Sequence, residues 1–329
     1  MRVIVNQQPC EFASETVNLG VLLEHQGVPE KGVAVALNGE VVPRSTWQRV
    51  VVSEGDRIEL VKVVAGGSDE DALVIAGRTF HSRLFMGTGR FVSPAVMRTA
   101  LEASGTEMVT VAIRATGVDG SGPDAGILAA LDRDRYQLLP NTAGATTVRQ
   151  AVFMAELARE ALGTSWVKLE VIGDERTLWP DVAGTVEATR ILVKSGFVVL
   201  PYTTTDLVTA LRLEDAGAAT VMPLGSMIGS GQGVKDWEGV RRIVERVGVP
   251  VVVDAGIGTP SDAVLAMEAG AAACLINTAV SRSDDPPAMA AAMRHAVIAG
   301  RLAYTAGRMP LSDYAVPSSP PAGLVGVGL

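Results

Sequence analysis

The chain has 329 residues, which allows one large domain or one large and one small. Hydrophobic residues make up 48% and charged residues 19%, a globular balance with ample material for a core. The net charge of -8, with no Lys/Arg run, argues against nucleic acid and anionic membrane as general partners, although backbone N–H groups can still bind a small anion. Cys10 and Cys274 are far apart, and His25, His81 and His295 are scattered, so neither a disulfide framework nor a zinc site is expected. A reducing cytosol is the default expectation. The opening "MRVIVNQQ" has no long apolar core and no cleavage site, so no secretory signal is expected. No apolar run is long and pure enough to span a membrane as a helix.

Residues 1–67 read as one unit. "RVIVN" predicts a strand. "ETVNLGVLLEHQG" carries Val21, Leu22 and later Val28 at helical spacing, with Gly27 as C-cap. "VAVALNGEVV" predicts two strands around Asn38-Gly39, a strong hairpin signal. "DRIELVKVV" predicts a last strand, through Ile58, Leu60 and Lys62. Two strands, a helix and two more strands make a ubiquitin-like β-grasp, and its final strand runs directly into Ala65-Gly66-Gly67. The acidic stretch "SDED", 68–71, follows as a short linker.

The remainder repeats a different unit. Short β-branched runs, "LFMGTG", "MVTVAI", "YQLLPN", "WVKLEVI", "FVVLPY", "ATVMPL", "VPVVVDAG" and "ACLINT", alternate with Ala-rich amphipathic stretches. Eight such runs over roughly 240 residues predict a (β/α)8 TIM barrel within 72–308. A doubly wound open sheet is the competing fold, disfavoured by the strand number and even spacing. "DALVIAGRTFHSR" predicts an extra hairpin plugging one end of the barrel. The tail 309–329 is rich in Pro, Gly and Ser, which predicts poor order.

Catalytic groups of such barrels sit at the C-terminal ends of strands. In "SWVKLEVIGD", Val167, Leu169 and Val171 share one strand face and Lys168 and Glu170 the other. With the apolar set against the helices, Lys168 and Glu170 point into the barrel. Desolvation there is expected to lower the lysine pKa and free the amine for attack on a carbonyl, while a structural Lys–Glu pair is the competing account. Asp254 ends the apolar strand "VPVVVD" at the same mouth; as a loop brace or cap it would have no chemical role. One amine and two carboxylates together suit imine formation and the proton transfers that follow.

Phosphate-binding signals lie in the later loops. "DAGIGTPSDA" offers Gly256 and Gly258, and Asn277-Thr278 open the last helix. "PLGSMIGSGQG", with Gly225, Gly229, Gly231 and Gly233, predicts a mobile loop that closes over a ligand. "GTG" at Gly87–Gly89 does not fit the dinucleotide pattern GxGxxG.

The motifs "LPNTAGATT", "VKLEVIGD", "VVLPYTTTD", "EDAGAATVMPLGS", "IGSGQG", "PVVVDAGIGTPSDA" and "INTAVS…DDP", in this order, resemble thiazole synthase (ThiG-type), the enzyme that assembles the thiazole phosphate of thiamin. Residues 1–67, ending at Gly-Gly, resemble the sulfur-carrier protein (ThiS-type) of the same pathway. The resemblance implies condensation of 1-deoxy-D-xylulose 5-phosphate, dehydroglycine and sulfur from the carrier's C-terminal thiocarboxylate. It implies that Lys168 forms the imine, that Glu170 and Asp254 move protons, and that Gly229, Ala255, Gly256, Asn277 and Thr278 bind substrate. It further implies a carrier-adenylating enzyme as partner, a cytoplasmic homotetramer, and no metal or organic cofactor. Ala115 stands where many relatives carry a second arginine after Arg114, and Met227 where proline is frequent.

A carrier tail needs a free carboxylate on its last glycine, yet Gly67 is amide-bonded to Ser68. A four-residue linker reaches at most about 3.5 Å per residue, and a barrel is on the order of 25–30 Å tall. A precursor cut after Gly67 is therefore expected. A permanent docking module served by a separate carrier, or a barrel performing other Schiff-base phosphosugar chemistry, are the alternatives.

Overall fold

A computed structural model describes residues 1–6, 8–12, 16–25, 33–62, 71–112, 126–316 and 318. They fall into two units, Met1–Asp71 and Ala72–Leu329. Val28, Gly66 and Gly67, and the departures around Arg114 and Ala115, lie outside the described residues.

In the first unit, β1 (Arg2–Val5), β2 (Gln8–Glu11), β4 (Val33–Leu37), β5 (Glu40–Val42) and β7 (Arg57–Lys62) form a sheet in the order β2-β1-β7-β4-β5. The central pair β1 and β7 is parallel; the other pairs are antiparallel. A short pair, β3 (Val17–Asn18) with β6 (Val51–Val52), frames helix α1 (Leu19–His25). This is the ubiquitin-like grasp. The β4–β5 turn works because Asn38 and Gly39 both take positive φ, 53° and 86°, as a tight hairpin demands. The Asn38 side chain also accepts from Arg57 N at 2.9 Å. Val3, Leu19, Leu22, Leu23, Val35, Trp47 and Ile58 fill the core. Val21, expected on the buried helix face, is instead 45% exposed: Leu19, Leu22 and Leu23 already complete the stripe on a seven-residue helix.

The second unit opens with the expected hairpin, β8 (Leu73–Ile75) and β9 (Arg78–Phe80). Its Leu73, Ile75 and Phe80 are buried with Phe85, Met108, Leu139, Leu200, Met222 and Val252, and against Trp166, Val198, Ala219 and Ala272 near the strand starts. The hairpin therefore stoppers the N-terminal end of the barrel.

The barrel follows in chain order: β10 (Leu84–Gly87), α2 (Pro94–Ser104), β11 (Met108–Ala112), β12 (Gln137–Asn141), α3 (Val148–Leu162) and β13 (Trp166–Leu169). A small hairpin, β14 (Ile172–Asp174) and β15 (Trp179–Pro180), precedes α4 (Val182–Lys194). Then come β16 (Val198–Thr203), α5 (Leu207–Asp215), β17 (Met222–Pro223), α6 (Trp237–Val244), β18 (Val252–Asp254), α7 (Pro260–Glu268), β19 (Ala273–Ile276), α8 (Thr278–Ser281) and α9 (Pro286–Ala306). The eight strands run parallel in the order β17-β16-β13-β12-β11-β10-β19-β18. The two edges meet through parallel bridges Val221–Val251 and Leu224–Asp254, which closes the ring and excludes the open sheet. Helix starts are fixed by side-chain caps from Ser93, Thr147, Asp181, Asp206, Asp236 and Asp285, each typically worth about 1 kcal/mol.

Candidate active site at the C-terminal mouth

Alternation along β13 sets the site. Val167, Leu169 and Val171 are buried outward, against Ala151 and Ala155 of α3 and Ala188 and Leu192 of α4. Lys168 therefore points inward. The regular strand ends at Leu169, three residues short of the expected run "WVKLEVI", so Glu170 lies just beyond it. Thr142 holds that end in place. Its hydroxyl donates to Glu170 O and accepts from Glu170 N, both at 2.8 Å, and its N–H donates to Lys168 O at 3.1 Å.

Lys168, Glu170 and Asp254 converge. Lys168 Nζ donates to Glu170 Oε1 at 2.8 Å and forms an ion pair with Asp254 Oδ2 at 2.6 Å. The three residues are 5%, 4% and 3% exposed. Burial pulls the ammonium pKa down, but the Asp254 and Glu170 carboxylates outweigh it and hold Lys168 above its ordinary value. The expected lowering is thus reversed: at rest the lysine is an ammonium clamped between carboxylates. Burial raises the Asp254 carboxyl, and Lys168 offsets this only in part.

Loops after β17, β18 and β19 build the other side of the mouth. Ala255 and Gly256 take φ of 68° and 78°, a strained turn directly after Asp254. A side chain on Gly256 would meet Ser226 N at 2.5 Å. Gly233 N donates to Gly256 O at 2.8 Å and Gly225 N to Ala255 O at 3.3 Å, so the glycine loop, expected to be mobile, is stitched to its neighbour. Gly229 comes within reach of Thr278, whose Oγ1 is 3.9 Å from where a Cβ on Gly229 would stand. Asn277 and Thr278 open α8, a four-residue turn, and not the last helix, which is α9. Gly87 makes room for Asn277: a Cβ there would stand 2.6 Å from Asn277 Cβ.

Two neighbours were not singled out by sequence. Tyr202 is fully buried on β16, its ring 5.5 Å from Lys168 Nζ and its hydroxyl donating to Leu178 O at 3.3 Å. Burial and then Asp254 push its phenol pKa up. The inward alternation Leu200, Tyr202 along "FVVLPY" is the signal that finds it. Thr142 carries no such signal, because its role depends on contact with another strand. Among the described residues no group of three or more His, Cys, Asp or Glu could hold a metal ion.

Residues 74–320 match the family model of the thiazole biosynthesis protein ThiG, and residues 3–67 match that of the ThiS family. A thiazole synthase of a Methylobacterium species is 58% identical over 257 residues, covering 78% of this chain and 96% of the relative. A thiazole synthase of Paramagnetospirillum magneticum is 46% identical over 327 residues, covering 99% of this chain and 100% of the relative, so both units recur together there. A chain in the crystal structure of the Amycolatopsis orientalis BexX/CysO complex is 36% identical, with a TM-score of 0.67, over 74% of this chain and 98% of that one.

Proposed function

Because the chain belongs to the ThiG family, with a ThiS-family domain ahead of it in one polypeptide, it is a thiazole synthase of thiamine biosynthesis, and we propose that Lys168, Glu170 and Asp254 carry its chemistry. The observation that carries this assignment is the buried lysine held between two carboxylates at the barrel mouth.

The substrates are 1-deoxy-D-xylulose 5-phosphate, dehydroglycine and a carrier thiocarboxylate. Lys168 first gives up a proton, to Asp254 at 2.6 Å or Glu170 at 2.8 Å. Transfer turns an ion pair into two neutral groups, which a buried site favours once substrate excludes water. The free amine attacks the ketone carbon. The carboxyl that took the proton returns it to the oxygen, giving a carbinolamine; a carboxylate then takes a second proton from the nitrogen and passes it to the hydroxyl, which leaves as water as the protonated imine forms. The same two carboxylates then move protons between carbon and oxygen in the tautomerisations. Gly229, Ala255, Gly256, Asn277 and Thr278 cradle the phosphate with backbone N–H groups and small polar side chains.

A synthase and a carrier domain in one chain imply a sulfur-carrier partner. Our reading takes residues 1–67 as that carrier, 68–71 as linker, 72–308 as the synthase and 309–329 as tail. The carrier is released by cleavage after Gly67 and charged by an adenylating enzyme, because an amide at Gly67 cannot be adenylated. The enzyme works as a cytoplasmic homotetramer; no helix among the described residues is long and apolar enough to cross a membrane.

The test supplies purified protein with the pentulose phosphate, dehydroglycine and a separately made carrier thiocarboxylate, and detects the thiazole phosphate carboxylate by mass. No product would refute the assignment. For cleavage, the intact mass of protein from its native host should show a fragment ending at Gly67. Full-length chain alone, with thiazole forming, would instead make the domain a docking module.

A further inference from the structure

We propose that Asn141 is a substrate-binding residue of this site, its carboxamide taking a hydroxyl on the carbon chain next to the ketone that Lys168 attacks. The proposal rests on the imine reading of Lys168 and adds the group that recognises the sugar's hydroxyls.

The placement comes from β12. Leu139 lies in the cluster inside the barrel, and strand alternation puts Gln137 and Asn141 on the same inward face. Asn141 is the register partner of Lys168 on the neighbouring parallel strand, with the backbones of such partners about 4.8 Å apart. The next residue, Thr142, is bonded to Lys168 O and to both backbone groups of Glu170, so the strand end carrying Asn141 is fixed relative to the lysine.

β12 also supplies an internal comparison. Of its two inward amides, Gln137 is satisfied: its Oε1 accepts from Arg78 Nη1 at 2.6 Å, and its Nε2 donates to Leu138 O at 2.9 Å. Asn141 Oδ1 is buried, and among the described residues it has no hydrogen-bond partner. Leaving a buried carbonyl oxygen unpaired costs stability, and a leucine would fill the space without that cost. Asn277 Oδ1 is likewise buried and unpaired, at the end of β19. These orphaned oxygens sit at C-terminal strand ends, where a ligand's polar atoms would complete them.

The chemistry favours a hydroxyl. A carboxamide offers an acceptor and donors, matching a group that both donates and accepts. It is neutral, so it recognises a polyol beside Lys168 without adding a third carboxylate to the triad. The phosphate cradle lies on loops after β17, β18 and β19, on the far side of the mouth from β12. A pentulose phosphate anchored there presents its ketone end and adjacent hydroxyl toward Lys168 and Asn141.

The test compares two probes by borohydride trapping and intact mass: 1-deoxy-D-xylulose 5-phosphate, and 4-oxopentyl phosphate, the same carbon chain without hydroxyls. The unaltered enzyme should trap the pentulose phosphate at least about tenfold better at low concentration, as expected when a site's polar groups are left unpaired by the deoxy analogue. Asn141→Ala should lose most of that preference by losing affinity for the pentulose phosphate only. Asn141→Leu, close in size, should do the same and covers the case in which the alanine variant folds poorly. A variant that keeps the full preference, or that loses both probes equally, overturns the proposal. Failure of the unaltered enzyme to trap either probe overturns the imine reading, and this inference with it.

Discussion

Lys168 on β13 and Asp254 on β18 stand three strands apart around the barrel, yet Nζ and Oδ2 approach to 2.6 Å. With Glu170 at 2.8 Å, the ammonium is held by two carboxylates in a site nearly closed to water. On the proposed mechanism the resting lysine is the conjugate acid of the nucleophile, and the first chemical event is loss of its proton.

Lys168→Met should destabilise the barrel by about 3 kcal/mol near pH 8, because two buried carboxylates lose their cation. The sign with pH follows from Asp254. Its pKa is already raised in the folded protein, by burial first, and Lys168 is the group that lowers it. Without Lys168 it rises further. A carboxyl with a raised folded pKa contributes stability that is full below its unfolded value, about 4, and is lost as pH climbs through the folded value. The variant should therefore recover toward the unaltered protein on acidification from pH 8 to 5. The raised Lys168 itself changes nothing in that window, since its contribution is lost only above about pH 10.4. Denaturant unfolding at both pH values checks this; an unchanged gap between the proteins would contradict it.

Asp254→Asn should leave the fold intact, since it replaces a buried carboxylate whose burial is a cost at neutral pH. Turnover should fall by about 10²–10⁴-fold, the usual contribution of a positioned proton-transfer group. Turnover within threefold of the unaltered enzyme would remove Asp254 from the mechanism.

Gly256→Ala should raise KM for the pentulose phosphate by tenfold or more, about 1.4 kcal/mol. The residue has φ of 78°, and a Cβ would stand 2.5 Å from Ser226 N. Gly144→Ala, with φ of 91° but nothing within 4 Å of its Cβ, controls for backbone strain alone. Equal KM for both variants would show that the loop contact has no bearing on binding.

Cys274 lies fully buried on β19, and burial pushes its thiol pKa up to about 12. Cys10 is half-buried, and both are free thiols. A thiol reagent at pH 8 should modify at most one cysteine in the native protein and two after denaturation. Modification of Cys274 in the native state would contradict this packing.

The charged trio was legible because β-strand alternation makes an inward lysine or aspartate conspicuous in an apolar run. The barrel and the grasp were legible for the same reason, together with Asn38-Gly39 and the regular strand spacing. What escaped depends on contacts between distant segments. The pKa direction of Lys168 runs against the sequence expectation because Asp254, 86 residues away in sequence, lies 2.6 Å away in space. The glycine loop looked free because its bonds run to Ala255 and Gly256. The β14–β15 hairpin, with Leu178 at φ 55°, gave no strand pattern of its own.

Lys168 is the proposed nucleophile. The most direct measurement is borohydride reduction of the protein with 1-deoxy-D-xylulose 5-phosphate, followed by proteolysis and peptide mass spectrometry. One reduced adduct is expected, on Lys168 and absent in Lys168→Ala. An adduct on another lysine, or trapping that survives in Lys168→Ala, would contradict that role.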